Sequence, residues 1–78
     1  MKEVVIYSTP TCGHCRATKA FFKEHNVAYT DYDVAADKDK AQEMIKRSGQ
    51  MGTPVIFVGE DMVVGFDEGR LKQLFGIA

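Results

Sequence analysis

Cys12 and Cys15 are the only two cysteines of the chain, set one helical turn apart in Cys12-Gly13-His14-Cys15. The apolar run Val4-Val5-Ile6-Tyr7 precedes them and a helix-like segment follows. A strand that delivers Cys-x-x-Cys to the start of a helix is a setting for thiol–disulfide exchange. The first turn of a helix carries unpaired N–H groups and a partial positive charge. The species that attacks a disulfide is the thiolate, which that environment stabilises. A second thiol one turn on can reach back, close an internal disulfide and release whatever the first sulfur captured. Cys12 and Cys15 are therefore the candidate catalytic pair, Cys12 attacking and Cys15 resolving.

Other uses of a cysteine pair fit less well. A structural disulfide across one turn of helix would close a very small loop and stabilise little. A structural zinc site takes four protein ligands, and this chain offers two cysteines and a distant His25. Haem attachment needs His directly after the second Cys, and Arg16 stands there. His14 has two readings: a solvent-facing residue in the first helical turn, or an imidazolium that stabilises the Cys12 thiolate.

The positioning elements must come from 78 residues, which implies one domain, 1–78, with a core that is only marginally sufficient. The hydrophobic share of 45% suits a globular chain, and the net charge of −1 with dispersed bases argues against nucleic acid as a partner. No apolar run reaches membrane-spanning length. Lys2 leads straight into strand-like sequence, so no secretory signal is expected and the expected location is cytoplasmic. In that compartment a cysteine pair is more often catalytic or metal-binding than structural.

Residues 2–8 read as a β-branched strand, and residues 13–25 as a helix with Ala17, Ala20 and Phe21 on one face. Residues 27–34 form a weaker strand in which Tyr29 and Tyr32 alternate with Asp. Residues 38–48 form a second helix with Ala41, Met44 and Ile45 as its apolar stripe, capped by Asp37 or Asp39 and ended by Gly49. Residues 54–58 and 62–64 are strands joined by the turn Gly59-Glu60-Asp61. Asp67 caps a last helix carrying Leu71, Leu74 and Phe75, which Gly76 ends. The order β-α-β-α-β-β-α calls for a right-handed parallel β-α-β unit and an antiparallel hairpin in one four-stranded mixed sheet flanked by helices. That is the architecture of the thioredoxin superfamily.

Within that superfamily the chain resembles a glutaredoxin over nearly its whole length. Ile6-Tyr7-Ser8-Thr9-Pro10-Thr11-Cys12 is similar to the approach to a glutaredoxin active site. Glu43-Met44-Ile45-Lys46-Arg47-Ser48-Gly49-Gln50 followed by Thr53-Pro54-Val55-Ile56-Phe57 is similar to the second helix and the proline-led strand. The resemblance implies a cis Thr53-Pro54 bond facing the sulfurs. The backbone of Thr53 would then receive a substrate peptide or glutathione like an added strand. It also implies that Gly65 and Asp67 receive the γ-glutamyl end of glutathione.

Three departures mark the chain. Ser8-Thr9-Pro10-Thr11 lacks the base that glutaredoxins carry before the cysteines, His14 stands where many have an aromatic residue, and Gly65-Phe66-Asp67 has one Gly where many have two. The Gly-Phe form resembles the glutaredoxin-like hydrogen donors of ribonucleotide reductase. Cys-Gly-His-Cys is also the active-site sequence of protein disulfide isomerase, whose potential is about −180 mV against about −270 mV for thioredoxin.

The expected function is thus thiol–disulfide oxidoreduction by Cys12 and Cys15 with His14. Thr53, Pro54, Gly65 and Asp67 would form the substrate groove. The expected partners are disulfide-containing proteins, with glutathione or thioredoxin reductase as reductant. No metal or organic cofactor is expected, glutathione entering only as co-substrate, and the chain is expected to be a monomer. Two rival readings are a dimer presenting two Cys12 thiolates to an iron–sulfur cluster, and a redox-controlled binding module without turnover. Tyr7, Phe57 and Met44 read as core, and Lys19, Lys46 and Arg47 as solvated faces. His25 reads as a helix C-terminal residue favoured by the dipole.

Overall fold

The computed structural model describes residues 3–77. The elements are β1 (Val4–Ser8), α1 (Gly13–Glu24), β2 (Thr30–Asp33), α2 (Lys38–Ser48), β3 (Val55–Val58), β4 (Asp61–Val64) and α3 (Glu68–Phe75). They follow the expected order. The strands lie in the order β2-β1-β3-β4, with β1 parallel to β2 and antiparallel to β3, and β3 antiparallel to β4.

Alternation along β1 and β3 divides the core into two layers. Val4, Ile6, Ile56 and Val58 face Phe21 and Phe22 of α1 and Leu71 of α3. Val5, Tyr7, Val55 and Phe57 face Met44 of α2. The helices thus cover both faces of the sheet, and both central strands are buried throughout. Tyr7, Phe57 and Met44 lie in the core, as expected.

Several details differ from the sequence reading, and β3 begins at Val55 rather than at Pro54. Strand β2 is shorter than residues 27–34, because the α1 terminus consumes the start of that segment. Asn26 adopts φ 57 and Val27 N–H returns to the Phe22 carbonyl at 2.8 Å, a left-handed helix stop. Strand β4 begins one residue early, since Asp61 pairs with Val58, leaving a two-residue turn in which Gly59 takes φ 62. The inner face of α1 is Cys15, Thr18, Phe21 and Phe22, with Ala20 exposed. Likewise Met44 alone of the α2 stripe is buried, and Ile45 is 39% exposed. The proposed strand residue Lys2 lies outside the described residues.

Candidate active site

The site begins with a helix start that is electrostatically bare. Cys12 is the N-cap of α1, with φ −85 and ψ 115, and its sulfur accepts the Cys15 N–H at 3.1 Å. Thus the thiol itself serves as the capping acceptor that Ser, Thr, Asp or Asn usually supplies. Asp37 caps α2 and Asp67 caps α3, and each of those helices has an acidic residue in its first turn. Helix α1 has none, so nothing in its first turn offsets the positive end of the dipole beside Cys12.

The two thiols sit in contrasting surroundings. Cys12 is half-buried and Cys15 is fully buried, and both are free thiols. Burial acts to raise the Cys12 pKa. Hydrogen bonds from the Cys15 thiol, the Thr53 side chain and the backbone N–H groups of Cys15 and His14 outweigh it and hold Cys12 below the ordinary cysteine value. Cys15 moves the other way. Burial pushes it up, its hydrogen bond and charge coupling to Cys12 add to that, and the Thr9 backbone and Thr53 side chain offset only part. The half-buried sulfur is thereby favoured as a thiolate, and the fully buried one is favoured as a thiol.

The proline-led strand closes the site from across the sheet. The Thr53–Pro54 bond is cis. Cys12 Sγ donates to the Thr53 carbonyl at 3.7 Å, and the hydroxyls of Thr53 and Thr9 lie 3.5 Å apart. Pro54 is buried, and its carbonyl accepts the Gly65 N–H at 2.9 Å while Gly65 takes φ 80. Gly65 is therefore tied to the proline turn by a backbone bond in a conformation that favours glycine. Asp67, exposed two residues on, caps α3 by accepting the Arg70 N–H at 3.1 Å. Cys12, Thr53, Pro54 and Gly65 are thus linked in one contact path, and Asp67 follows Gly65 by two residues.

His14 lies in the first turn of α1 and is exposed. Its backbone N–H faces the Cys12 sulfur and its carbonyl accepts the Thr18 hydroxyl at 2.8 Å. Among the described residues its imidazole makes no hydrogen bond. In the turn ahead of Cys12, the Arg16 guanidinium donates to the Pro10 carbonyl at 3.1 Å.

Two residues read from sequence as solvated faces have specific partners. Arg47 lies 3.9 Å over the Phe57 ring and donates to the Tyr7 hydroxyl at 2.9 Å, which in turn donates to Glu43 at 2.9 Å. Lys19 meets Asp31 at 2.6 Å, and Asp31 accepts the Ser8 hydroxyl at 2.6 Å. Neither group shows in the sequence, because each joins residues from different elements. The only local hint was Ser8, a hydroxyl inside an otherwise apolar strand. His25 packs on Phe21 with ring centroids 4.4 Å apart, as the C-cap of α1.

A four-stranded mixed sheet between helices, with Cys-x-x-Cys opening the first helix against a cis-proline turn, defines a dithiol protein of thioredoxin-like fold. The glutaredoxin family model matches residues 4–63. The chain is 39% identical over 71 residues to an uncharacterized glutaredoxin-like 8.6 kDa protein in the rubredoxin operon of Clostridium pasteurianum, covering 91% of this chain and 95% of that one. It is 34% identical over 68 residues to glutaredoxin 3 of Escherichia coli K12, covering 87% and 82% of the two chains. A mutant of the thioredoxin-like protein BC3987 superposes with a TM-score of 0.92 at 32% identity, covering 100% of both chains. The chain belongs to the glutaredoxin family. Family and fold support thiol–disulfide oxidoreductase activity, and Cys12 and Cys15 supply its Cys-x-x-Cys pair. No helix among the described residues is long and apolar enough to cross a membrane.

Proposed function

We propose that the protein is a dithiol oxidoreductase that reduces protein disulfides through Cys12 and resolves the intermediate through Cys15. The observation that carries this reading is the asymmetry of the pair. Cys12 caps α1 and is favoured as a thiolate, whereas Cys15 is fully buried one turn behind it and is favoured as a thiol.

The Cys12 thiolate attacks one sulfur of the substrate disulfide, a Cys12–substrate S–S bond forms, and the other substrate sulfur leaves as a thiolate. Cys15 then loses its proton and attacks Cys12 Sγ. The Cys12–Cys15 bond forms and the second substrate sulfur departs. Two electrons have passed from the dithiol to the substrate. A thiol reductant, glutathione or the dithiol of thioredoxin reductase, restores the pair by the reverse exchange. The exchange uses no metal or organic cofactor.

The substrate lies in the groove of Thr53, Pro54 and Gly65, with its backbone alongside Thr53 as an added strand. Pro54 has no N–H, so no amide donor at that position competes for the sulfurs. Asp67 receives a free α-amino group where the substrate is glutathione. The turn Ser8-Thr9-Pro10-Thr11 offers no base to a glutathione carboxylate, which favours peptide disulfides over glutathione. His14 contributes its backbone N–H and, as an imidazolium, a charge on the helix end that bears the thiolate. The protein works as a monomer in the cytoplasm, where a reducing pool maintains the dithiol.

The test is one disulfide substrate assayed in two couplings, one with glutathione and its reductase and one with thioredoxin reductase. Turnover in either that is abolished by Cys12→Ser supports the reading. No turnover in both leaves a binding module and overturns it.

A further inference from the structure

Resolution requires the buried Cys15 to become a thiolate, and burial opposes that step. Capture of substrate by Cys12 removes the negative charge of that sulfur but leaves Cys15 buried. A compensating positive charge lies on the same helix. Lys19 follows Cys15 by four residues, so the two side chains share a face of α1.

Lys19 is fixed from the sheet. Its Nζ meets Asp31 Oδ2 at 2.6 Å, and Asp31 Oδ1 accepts the Ser8 hydroxyl at 2.6 Å. Asp31 pairs with Ile6 across β1 and β2, which puts its side chain on the α1 face, and Ser8 follows Ile6 by two residues on that same face. Ser8 is 1% exposed and Cys15 is 0% exposed. The next residue, Thr9, directs its backbone toward the Cys15 sulfur. An ordinary exposed ion pair needs no buried hydroxyl to hold its carboxylate. Here a buried serine, a carboxylate and an ammonium form a chain whose lysine stands four residues along α1 from the resolving cysteine.

We propose that Lys19, held by Asp31 and Ser8, is a positioning residue for resolution, its ammonium stabilising the Cys15 thiolate as that thiolate forms. This rests on the dithiol reading above. The groups facing Lys19 are Asp31 and Tyr29 from the β2 segment and Cys15 from its own helix. Its pKa is raised first by the Asp31 hydrogen bond and also by the charges of Asp31, Tyr29 and Cys15, so it stays an ammonium throughout. The groups facing Cys15 are Cys12, the Thr53 side chain and the Thr9 backbone. In the step itself Cys15 releases its proton to water, its sulfur bonds to Cys12 Sγ, and the substrate sulfur leaves with the electron pair of the broken S–S bond. Lys19 exchanges no proton.

The experiment is a single-turnover measurement on the reduced full chain. A dithiobis-nitrobenzoate reagent caps Cys12 and releases one coloured thiolate, and attack by Cys15 releases the second. The rate of the second release is followed against pH. In Lys19→Met the midpoint should move up by roughly 0.5–1 pH unit with no loss of the alkaline plateau, the size expected for one charge a helical turn away and partly screened. Lys19→Arg should keep the wild-type midpoint. Structural damage would instead lower the plateau and leave the midpoint in place. A second readout is the Cys15 thiolate absorbance in a Cys12→Ser background, whose midpoint should rise when Lys19→Met is added. Unmoved midpoints in both measurements overturn the role of Lys19 alone. Failure of the wild-type protein to release the second thiolate overturns resolution by Cys15, and this inference with it.

Discussion

Asp67 occupies a position where a structural role and a recognition role can be separated by two substitutions. Its Oδ1 caps α3 by accepting the Arg70 N–H at 3.1 Å, and the residue is exposed two positions beyond Gly65. Asp67→Ala removes the cap of an eight-residue helix, a loss of about 1 kcal/mol. In a domain of this size that lowers Tm by about 4–8 °C. Asp67→Asn keeps a capping oxygen of equal rank and should leave Tm almost unchanged. Only the charge differs, and its attraction for an exposed α-ammonium is worth about 0.2–1 kcal/mol. That corresponds to a drop of about 1.4- to 5-fold in kcat/KM for a glutathione mixed disulfide. The assay compares glutathione-driven with thioredoxin-reductase-driven turnover in both variants at a temperature well below either Tm. Asp67→Asn should slow the first and spare the second. Equal loss in the two couplings, or no loss in either, would refute recognition by the carboxylate and leave Asp67 as a cap.

Further outcomes follow from the same geometry. Alkylation mapped by mass should modify Cys12 before Cys15, with half-maximal rate below the pH of an ordinary cysteine, near ~8.5, because the Cys12 pKa is lowered. Modification of Cys15 first at neutral pH would reverse the assignment. The linkage signs of the two thiols are opposite. The lowered Cys12 pKa stabilises the fold above the unfolded cysteine value and is lost as pH falls through the folded one. The raised Cys15 pKa stabilises the dithiol below the unfolded value and is lost as pH rises through the folded one, as denaturation of the single Cys→Ser variants against pH would show. His14→Ala keeps the backbone N–H that faces Cys12, so a rise in the Cys12 titration midpoint would measure the contribution of the ring alone, and an unchanged midpoint would make the ring a bystander. Leu71→Ala empties the 0% exposed anchor of α3 and should cost about 2–5 kcal/mol in urea denaturation, a large part of the ~5–15 kcal/mol available to a small domain.

Much of this protein is legible in short windows of sequence. Each helix start carries a capping side chain within three residues of the N–H it serves: Cys12 for Cys15, Asp37 for Lys40, Asp67 for Arg70. Gly49 and Gly76 stop helices in the left-handed conformation that glycine favours, and Gly59 turns the hairpin. These are local preferences, so element order and the dithiol at a helix start could be read directly. Boundaries failed where a competing local bond was invisible, as at Asn26 and Val27, where the end of α1 takes residues that alternate like a strand. The alanine-bearing stripe of α1 failed for a related reason. Ala20 is apolar enough for either face, and the larger Phe21 and Phe22 set the rotation of the helix against the sheet.

Residue types and their spacing carry the chemistry on offer: two thiols one turn apart, a proline-led strand, and a compact β-α-β-α-β-β-α order able to join them. Which groups share a space is set by the packed fold. The Thr53 carbonyl meets Cys12 across 41 residues of chain, and Tyr7 reaches Glu43 across 36 and Arg47 across 40. Ser8 and Lys19 converge on Asp31 from a strand and a helix. Such contacts arise from strand register and from the packing of helices on opposite faces of one sheet, and no periodicity of a single segment records them. The difference between the two sulfurs belongs to the same class. Both are cysteine in the sequence; the fold buries Cys15 fully, which raises its pKa, and aims N–H groups at Cys12, which lowers its pKa.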